Sequence, residues 1–90
     1  MLIAGGTAES CNLFHSFDRF SLNSGQTAVF VPDSSIANII TRVTGNEIAK
    51  IDGTIAVNGN ANLFLVNPNG ITFGQSASLA INGSLNLLSC

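Results

Sequence analysis

The stretch NGNANLFLVNPNGITFG, residues 58–74, carries the clearest structural signals of this 90-residue chain. Its apolar run at residues 63–66 is bounded by Asn and Gly on one side and by Asn-Pro-Asn-Gly on the other. A short apolar run with such borders predicts a strand that is buried on both faces. Residues 71–73 resume the strand pattern, and Gly74 ends it.

The segment between these two strands has the composition of a turn. Pro68 fixes its own φ and favours extended geometry at Asn67. Asn69 and Gly70 are residue types that tolerate positive φ. We therefore predict a turn at residues 67–70.

The rest of the C-terminal half is quasi-periodic. Short apolar clusters recur about every eight residues and are separated by Gly, Asn or Ser, a pattern that indicates an all-β sandwich, a barrel or a solenoid. No hairpin alternates cleanly between polar and apolar residues, which argues against a sandwich. Three strands per turn would give coils of a little over twenty residues, so that roughly four coils fit the chain. The clusters are residues 48–51, 55–57, 63–66, 71–73, 79–81 and 85–88.

The N-terminal half is also predicted to be mainly extended. Residues 27–31 are rich in β-branched and aromatic residues and are predicted to form a strand. A helix competes for residues 36–43, but the β-branched run Ile39, Ile40 and Thr41 favours a strand.

The first twenty residues give weaker signals. We expect residues 1–11 to be an irregular lead-in. Phe14, Phe17 and Phe20 recur at a spacing of three, and we expect all three to lie in the core.

Asparagine is abundant between residues 58 and 69. One interpretation places these side chains at turns and in stacks that hydrogen-bond along a solenoid axis. The other is polar recognition of a sugar or of a partner strand. We favour the structural interpretation, and the two are compatible.

Composition excludes several classes of protein. Hydrophobic residues make up 46% of the chain and charged residues 9%, which is too apolar and too weakly charged for a disordered chain. The apolar runs are far shorter than the roughly 20 residues of a membrane-spanning helix. The net charge is −2, and Arg19, Arg42 and Lys50 are scattered, so nucleic acid is a poor candidate partner.

Catalytic and metal-binding patterns are weak. Cys11 and Cys90 form no CxxC pair and have no histidine at metal spacing, so we predict no metal site and no cofactor. Two unpaired thiols are favoured over a disulfide. The disulfide remains the alternative interpretation. His15 is the one histidine, and Ser16 and Asp18 beside it in sequence do not make a catalytic triad.

An enzyme that cleaves polysaccharides would need carboxylates that converge on one face of the fold. Asp18, Asp33 and Asp52 lie in different segments, and neither Glu9 nor Glu47 has a partner at coil spacing. The sequence therefore favours a protein that is not an enzyme and has no small-molecule substrate.

The central stretch resembles the signature of the two-partner secretion domain at the N-terminus of filamentous-haemagglutinin-type exoproteins. The resemblance extends from about Gly5 to the end of the chain and includes residues 12–17, 38–45 and 51–55. The main motif matches Asn67, Pro68, Asn69, Gly70 and Ile71, and the supporting motif matches Asn60, Asn62, Leu63, Phe64 and Leu65.

The resemblance implies a right-handed parallel β-helix, with residues 12–90 as a partial domain that is incomplete at the C-terminus. It also implies a secretion-targeting and folding-nucleus module of a large adhesin-like exoprotein, carried through the periplasm to the cell surface or the medium. The partner would be an outer-membrane pore of the Omp85 kind, which recognises the domain through its polypeptide-transport-associated domains. The motif residues would either stabilise the fold or contact this transporter, and we favour the role in stabilising the fold.

The chain departs from the family pattern in three respects. Its start lacks the basic and apolar regions of a signal peptide, the second family motif NPNL is absent between Phe20 and Ile51, and the sequence stops within a coil. A truncated gene product without function is therefore the alternative. We also expect an open coil end at residues 85–90 to expose apolar surface and to favour self-association.

Overall fold

Short strands and their connecting turns make up the computed structural model, which describes residues 2–88. Within these residues there are eleven strands and no helix. The strands are β1 (Leu2–Ile3), β2 (Thr7–Glu9), β3 (Asn12–Phe17), β4 (Thr27–Phe30), β5 (Asn38–Val43), β6 (Ala49–Ile51), β7 (Thr54–Val57), β8 (Asn62–Val66), β9 (Ile71–Phe73), β10 (Ser78–Ala80) and β11 (Leu85–Leu88).

The strands form three sheets that the chain visits in turn. The first sheet has the order β1-β4-β7-β10, the second β11-β8-β5-β3-β2, and the third β6-β9. A parallel bridge from Leu22 to Ile51 extends the third sheet to the preceding coil. All pairings are parallel except that of β2 with β3. The fold is therefore the predicted parallel β-solenoid, and four successive passes occur in each of the first and second sheets.

The coil length also agrees with the sequence-based expectation of a little over twenty residues. Asn12 and Asn38 are hydrogen-bonded across 26 residues, and Asn38 and Asn62 across 24. Each pair occupies equivalent positions in neighbouring strands of the second sheet.

Inward and outward side chains alternate along each long strand, as the period of two in a strand requires. In β8, Leu63 and Leu65 are buried, whereas Phe64 and Val66 on the outer face are only half-buried. The prediction that this strand is buried on both faces was therefore wrong for its outer face. The outer face of this sheet has no second layer of strands over it in the described residues.

Several N-terminal predictions need correction. The segment expected to be irregular contains β1, which pairs with β4, and β2, which pairs with β3. The strand favoured over a helix at residues 36–43 is confirmed, since β5 occupies most of that segment. Phe14 was expected in the core but points outward and is 42% exposed. Phe20 is buried, and Phe17 packs against the core.

Coils approach so closely at their corners that side chains are excluded at certain positions. A Cβ atom at Gly45 would overlap the carbonyl oxygen of Asp18 in the coil before, and one at Gly53 would overlap that of Gln26. Glycine is required at both corners because it has no Cβ, not because of its φ angle.

Two other sequence-based expectations concern cysteines and membrane spans. Cys11 is exposed and is a free thiol, whereas Cys90 lies outside the described residues. Among residues 2–88, no helix is long and apolar enough to cross a bilayer.

Two polar side chains lie on the inner face of the second sheet. His15 and Thr41 are register partners in β3 and β5, and both are buried. Neither His15 Nε2 nor Thr41 Oγ1 has a hydrogen-bond partner. The imidazole stacks on Phe17 at 5.9 Å between ring centroids and meets Phe30 edge-on at 5.7 Å. Burial lowers the pKa of His15 below its ordinary value, because an apolar site disfavours the charged form.

This burial predicts that the first coil is sensitive to acid. Because the folded-state pKa of His15 is lower than its unfolded value near 6.5, the unfolded chain binds the proton first as the pH falls. Stability is then retained above about pH 6.5 and lost as the pH falls towards the folded-state pKa. We expect urea denaturation to give a lower free energy of unfolding at about pH 5.5 than at about pH 7.5.

The matched control is His15→Leu, which keeps an apolar contact with Phe17 and Phe30 and removes the titrating group. Its free energy of unfolding should change less over the same pH range. Equal pH dependence in both proteins would show that other groups are responsible.

Candidate functional site

The family-like motif forms a tight turn between β8 and β9. The Gly70 amide donates to the Asn67 carbonyl oxygen at 3.1 Å, which closes a four-residue β-turn around Pro68 and Asn69. Asn at the first position, Pro at the second and Gly at the fourth is the preference of a type I turn.

The backbone geometry corrects one detail of the sequence-based prediction. Gly70 has a φ of +117°, in the region that favours glycine. Asn69 does not have positive φ; Ser10 is the non-glycine residue with positive φ in the described part of the chain. Asn69 therefore contributes through its hydrogen bonds and not through a left-handed conformation.

Asn67 is the buried centre of the turn, with no exposed surface. Its Nδ2 donates to the carbonyl oxygen of Glu47 at 3.0 Å, in the bend of the preceding coil. Its Oδ1 accepts from the Asn69 amide at 2.9 Å. One side chain therefore closes its own turn and connects it to the coil before.

Asn69 makes a second connection to the same bend. Its Nδ2 donates to the carbonyl oxygen of Gly45 at 2.7 Å and to Asn67 Oδ1 at 3.2 Å. Asn69 and Pro68 are nevertheless the exposed tip of the turn.

The strand that follows is also tied to the preceding coil. The Gly70 carbonyl oxygen accepts from the Ala49 amide at 3.0 Å. Ile71 pairs with Ala49 in the third sheet, and its half-buried side chain packs against the core.

The supporting motif approaches the turn along β8. Leu63 and Leu65 are core residues at 1% exposure, and Phe64 lies on the outer face. Asn60, which is exposed, accepts from Asn82 Nδ2 at 3.4 Å. Asn62 is part of a longer array.

This array is an amide ladder along the second sheet. Asn38 Nδ2 donates to Asn12 Oδ1 at 3.0 Å, and Asn62 Nδ2 donates to Asn38 Oδ1 at 3.2 Å. Asn62 Oδ1 then accepts from the Ser84 amide at 2.9 Å. The stacking expected for the asparagines therefore occurs at Asn62. Asn12 and Asn38 were missed as its partners, although each precedes an apolar pair in the sequence, as Asn62 does.

Two of the carboxylates considered for catalysis have polar partners in the structure. Glu47 pairs with Arg19 at 2.9 Å on the surface, and this hydrogen bond raises the pKa of Arg19. Asp52 Oδ1 accepts from the Ser76 amide at 2.8 Å. Within residues 2–88, no group of three or more His, Cys, Asp and Glu side chains is arranged to hold a metal ion.

The arrangement therefore consists of fixed amides that hold coil to coil, with a small exposed tip at Pro68 and Asn69. Neighbour-to-neighbour stacking of this kind defines a parallel β-solenoid with a polar turn at one corner.

Comparison with models of known protein families identifies one family. A family model described as TPS secretion domain matches residues 1–85. The chain therefore belongs to the TPS (two-partner secretion) domain family, whose members target exoproteins for secretion by two-partner systems. No curated protein and no solved structure matches the chain.

The turn geometry predicts the effect of Asn67→Ala. The substitution leaves the Glu47 carbonyl oxygen and the Asn69 amide without their partner and opens a buried space. Losing buried hydrogen bonds costs about 1–3 kcal/mol, so we expect a fall of about 2 kcal/mol in the free energy of unfolding. Urea denaturation measures this difference.

Asn58→Ala is the control, because Asn58 is exposed and precedes the same strand. Its effect should stay within about 0.5 kcal/mol of zero. Equal effects of the two substitutions would contradict the anchoring role of Asn67.

Proposed function

We propose that this chain is the secretion-targeting and folding-nucleus module of a large adhesin-like exoprotein. The transporter is an outer-membrane pore of the Omp85 kind, which binds the module through its polypeptide-transport-associated domains. The observation that carries this proposal is the family match over residues 1–85.

A role as folding nucleus follows from the way in which the coils depend on one another. In the second sheet, β5, β8 and β11 each pair with the strand one coil before them, and the Asn67 turn bonds to the bend at residues 45–47. In a solenoid, stability is a sum of single coils and their interfaces, so folding propagates from coils that are already formed. A completed coil also presents a strand edge with which an extended chain can pair.

The motif residues divide into two groups in this proposal. Asn67 and Gly70 hold the fold, since one is buried and the other has a φ that other residues adopt poorly. Pro68 and Asn69 are exposed and are the part of the turn that a transporter can contact in the folded domain.

A secretion assay tests the proposal. Residues 1–90 preceded by a Sec signal peptide are expressed with and without a cognate two-partner pore, and the medium is assayed for the chain. We expect release that requires the pore. Gly70→Val should abolish release, because a β-branched residue is strained at a φ of +117°.

Ser35→Ala, in an exposed loop, is the control and should be released like the unmodified chain. Release without the pore would contradict targeting by this transporter. Aggregated chain in the periplasm of both strains would favour the alternative of a non-functional product.

We also propose that the apolar end of the coil stack associates with a second copy. Phe73, Leu79 and Leu87 occupy positions in register with the buried residues Ile51, Ile55 and Leu65. These three side chains are nevertheless 41–51% exposed. They form an apolar end face with one residue from each sheet.

Leu79→Asn tests this association, because it places an amide on the end face. We expect sedimentation velocity to show concentration-dependent self-association of the unmodified chain and a clear reduction in the variant. Ile48→Asn, which alters an exposed apolar residue elsewhere, should leave the association unchanged. A monomer at all concentrations would overturn the proposal.

A further inference from the structure

The outer face of the second sheet carries a set of side chains that the fold does not use. Register places Phe14, Ile40 and Phe64 in one row across β3, β5 and β8. Ser16, Arg42 and Val66 form the next row along the same strands. Phe14 is 42% exposed, and Ile40, Phe64 and Val66 are half-buried.

A groove runs between these two rows. It has a volume of about 280 Å³, and its outward side chains are Phe14, Ser16, Ile40, Arg42 and Val66. We call it the Phe14 groove. His15 also lines it from within the strand, and among the outward side chains the polar groups are the Ser16 hydroxyl and the Arg42 guanidinium.

Arg42 gives this groove a preference for charge. Of the other two basic side chains, Arg19 is paired with Glu47 and Lys50 lies outside the groove. The Arg42 side chain is exposed, and its guanidinium makes no hydrogen bond or ion pair within residues 2–88. A cation at the edge of an apolar groove favours an occupant that brings a carboxylate.

The size of the groove indicates a segment of chain as the occupant. Phe14 and Val66 lie in strands separated by one further strand, so the groove extends for about 10 Å across the sheet. A stable dimer buries about 800 Å² on each partner, which is far more than this groove offers. Its volume accommodates one or two side chains of an extended peptide.

The spacing of the groove residues specifies the segment further. Ile40 and Arg42 are two residues apart on one face of β5, about 7 Å from each other along the strand. An extended segment that lies along the strands has the same spacing between its own alternate side chains. We propose that the Phe14 groove binds an extended segment of a partner polypeptide that carries an apolar side chain and, two residues away, an Asp or Glu.

Peptide titration of the isotopically labelled full chain, followed by NMR, tests this inference. The probes are short capped peptides with a Leu-Thr-Glu core, a Leu-Thr-Lys core or a Ser-Thr-Glu core. We expect the Leu-Thr-Glu peptide to shift the amide signals of β3, β5 and β8 and to bind more tightly than the other two. Equal binding of the Leu-Thr-Lys peptide, or shifts confined to the first or third sheet, would overturn the proposal.

Variants separate the two parts of the groove. Arg42→Gln should weaken binding of the Leu-Thr-Glu peptide about threefold, and Arg42→Lys should preserve most of it. Phe14→Ser should weaken it about fivefold through lost apolar contact. Leu2→Ser is the control, since Leu2 is exposed and lies on the first sheet. An effect of Leu2→Ser as large as that of Phe14→Ser would also overturn the proposal.

A second copy of the chain is the alternative occupant that the same spectra detect. Val31 and Asp33 are exposed and two residues apart, so the chain itself carries such a pair. Broadening of groove signals with protein concentration alone, removed by Asp33→Asn, would assign the groove to self-association instead. Association through the end face would broaden signals of β9–β11 and leave the groove unchanged. The titration measures binding directly, so its result does not depend on the outcome of the secretion assay.

Discussion

The hydrogen bonds between one coil and the next are the interaction on which the rest of this structure depends. Strands at the spacing of a sheet, about 4.8 Å, leave little room between the backbones of successive coils. At the corners this spacing excludes a Cβ atom, and Gly45 and Gly53 meet that requirement. Side chains also join the coils, because the amide ladder through Asn38 and Asn62 links equivalent positions of successive coils. No coil has a core of its own, so each owes its stability to its neighbours.

The buried Asn67 shows why an amide is needed at the motif turn. Burying a polar side chain is unfavourable unless its hydrogen bonds are made, and here the donor and the acceptor are both used. A carboxylate at this position would lack the donor for the Glu47 carbonyl, and Leu would satisfy neither group. Asparagine is the side chain of this size that supplies both, so the turn and the coil before it are fixed by one residue.

The sequence was sufficient for the central strands, because the apolar runs around residues 63–66 and 71–73 are closed by Asn, Pro and Gly. The spacing of the apolar clusters alone left a sandwich, a barrel or a solenoid open, and the resemblance to the two-partner secretion domain is what indicated the parallel β-helix. The sequence was insufficient for β1, whose two residues carry no periodic signal and pair with β4, which is distant in sequence. The spacing of Phe14 from Phe17 could not show which side chain faces inward. The partners of Asn62 could not be identified because they depend on the register between coils, and the coils differ in length. Successive ladder contacts span 26, 24 and 22 residues, so no fixed repeat in the sequence marks them. The sign of φ at Asn69 was likewise not a property of its residue type alone.

The division between inward and outward polar groups limits what a partner can recognise. The Asn67 side chain has no exposed surface in the folded domain, and its two polar atoms are bonded within the chain. A transporter that contacts this side chain must therefore meet the chain before the third coil has folded against the second. A transporter that binds the folded domain meets Pro68 and Asn69 as the exposed residues of this turn, together with outward rows such as that of Phe14 and Ile40. Recognition of the unfolded chain and of the folded domain thus depends on different residues, and substitutions at Asn67 and at Pro68 affect the two modes differently.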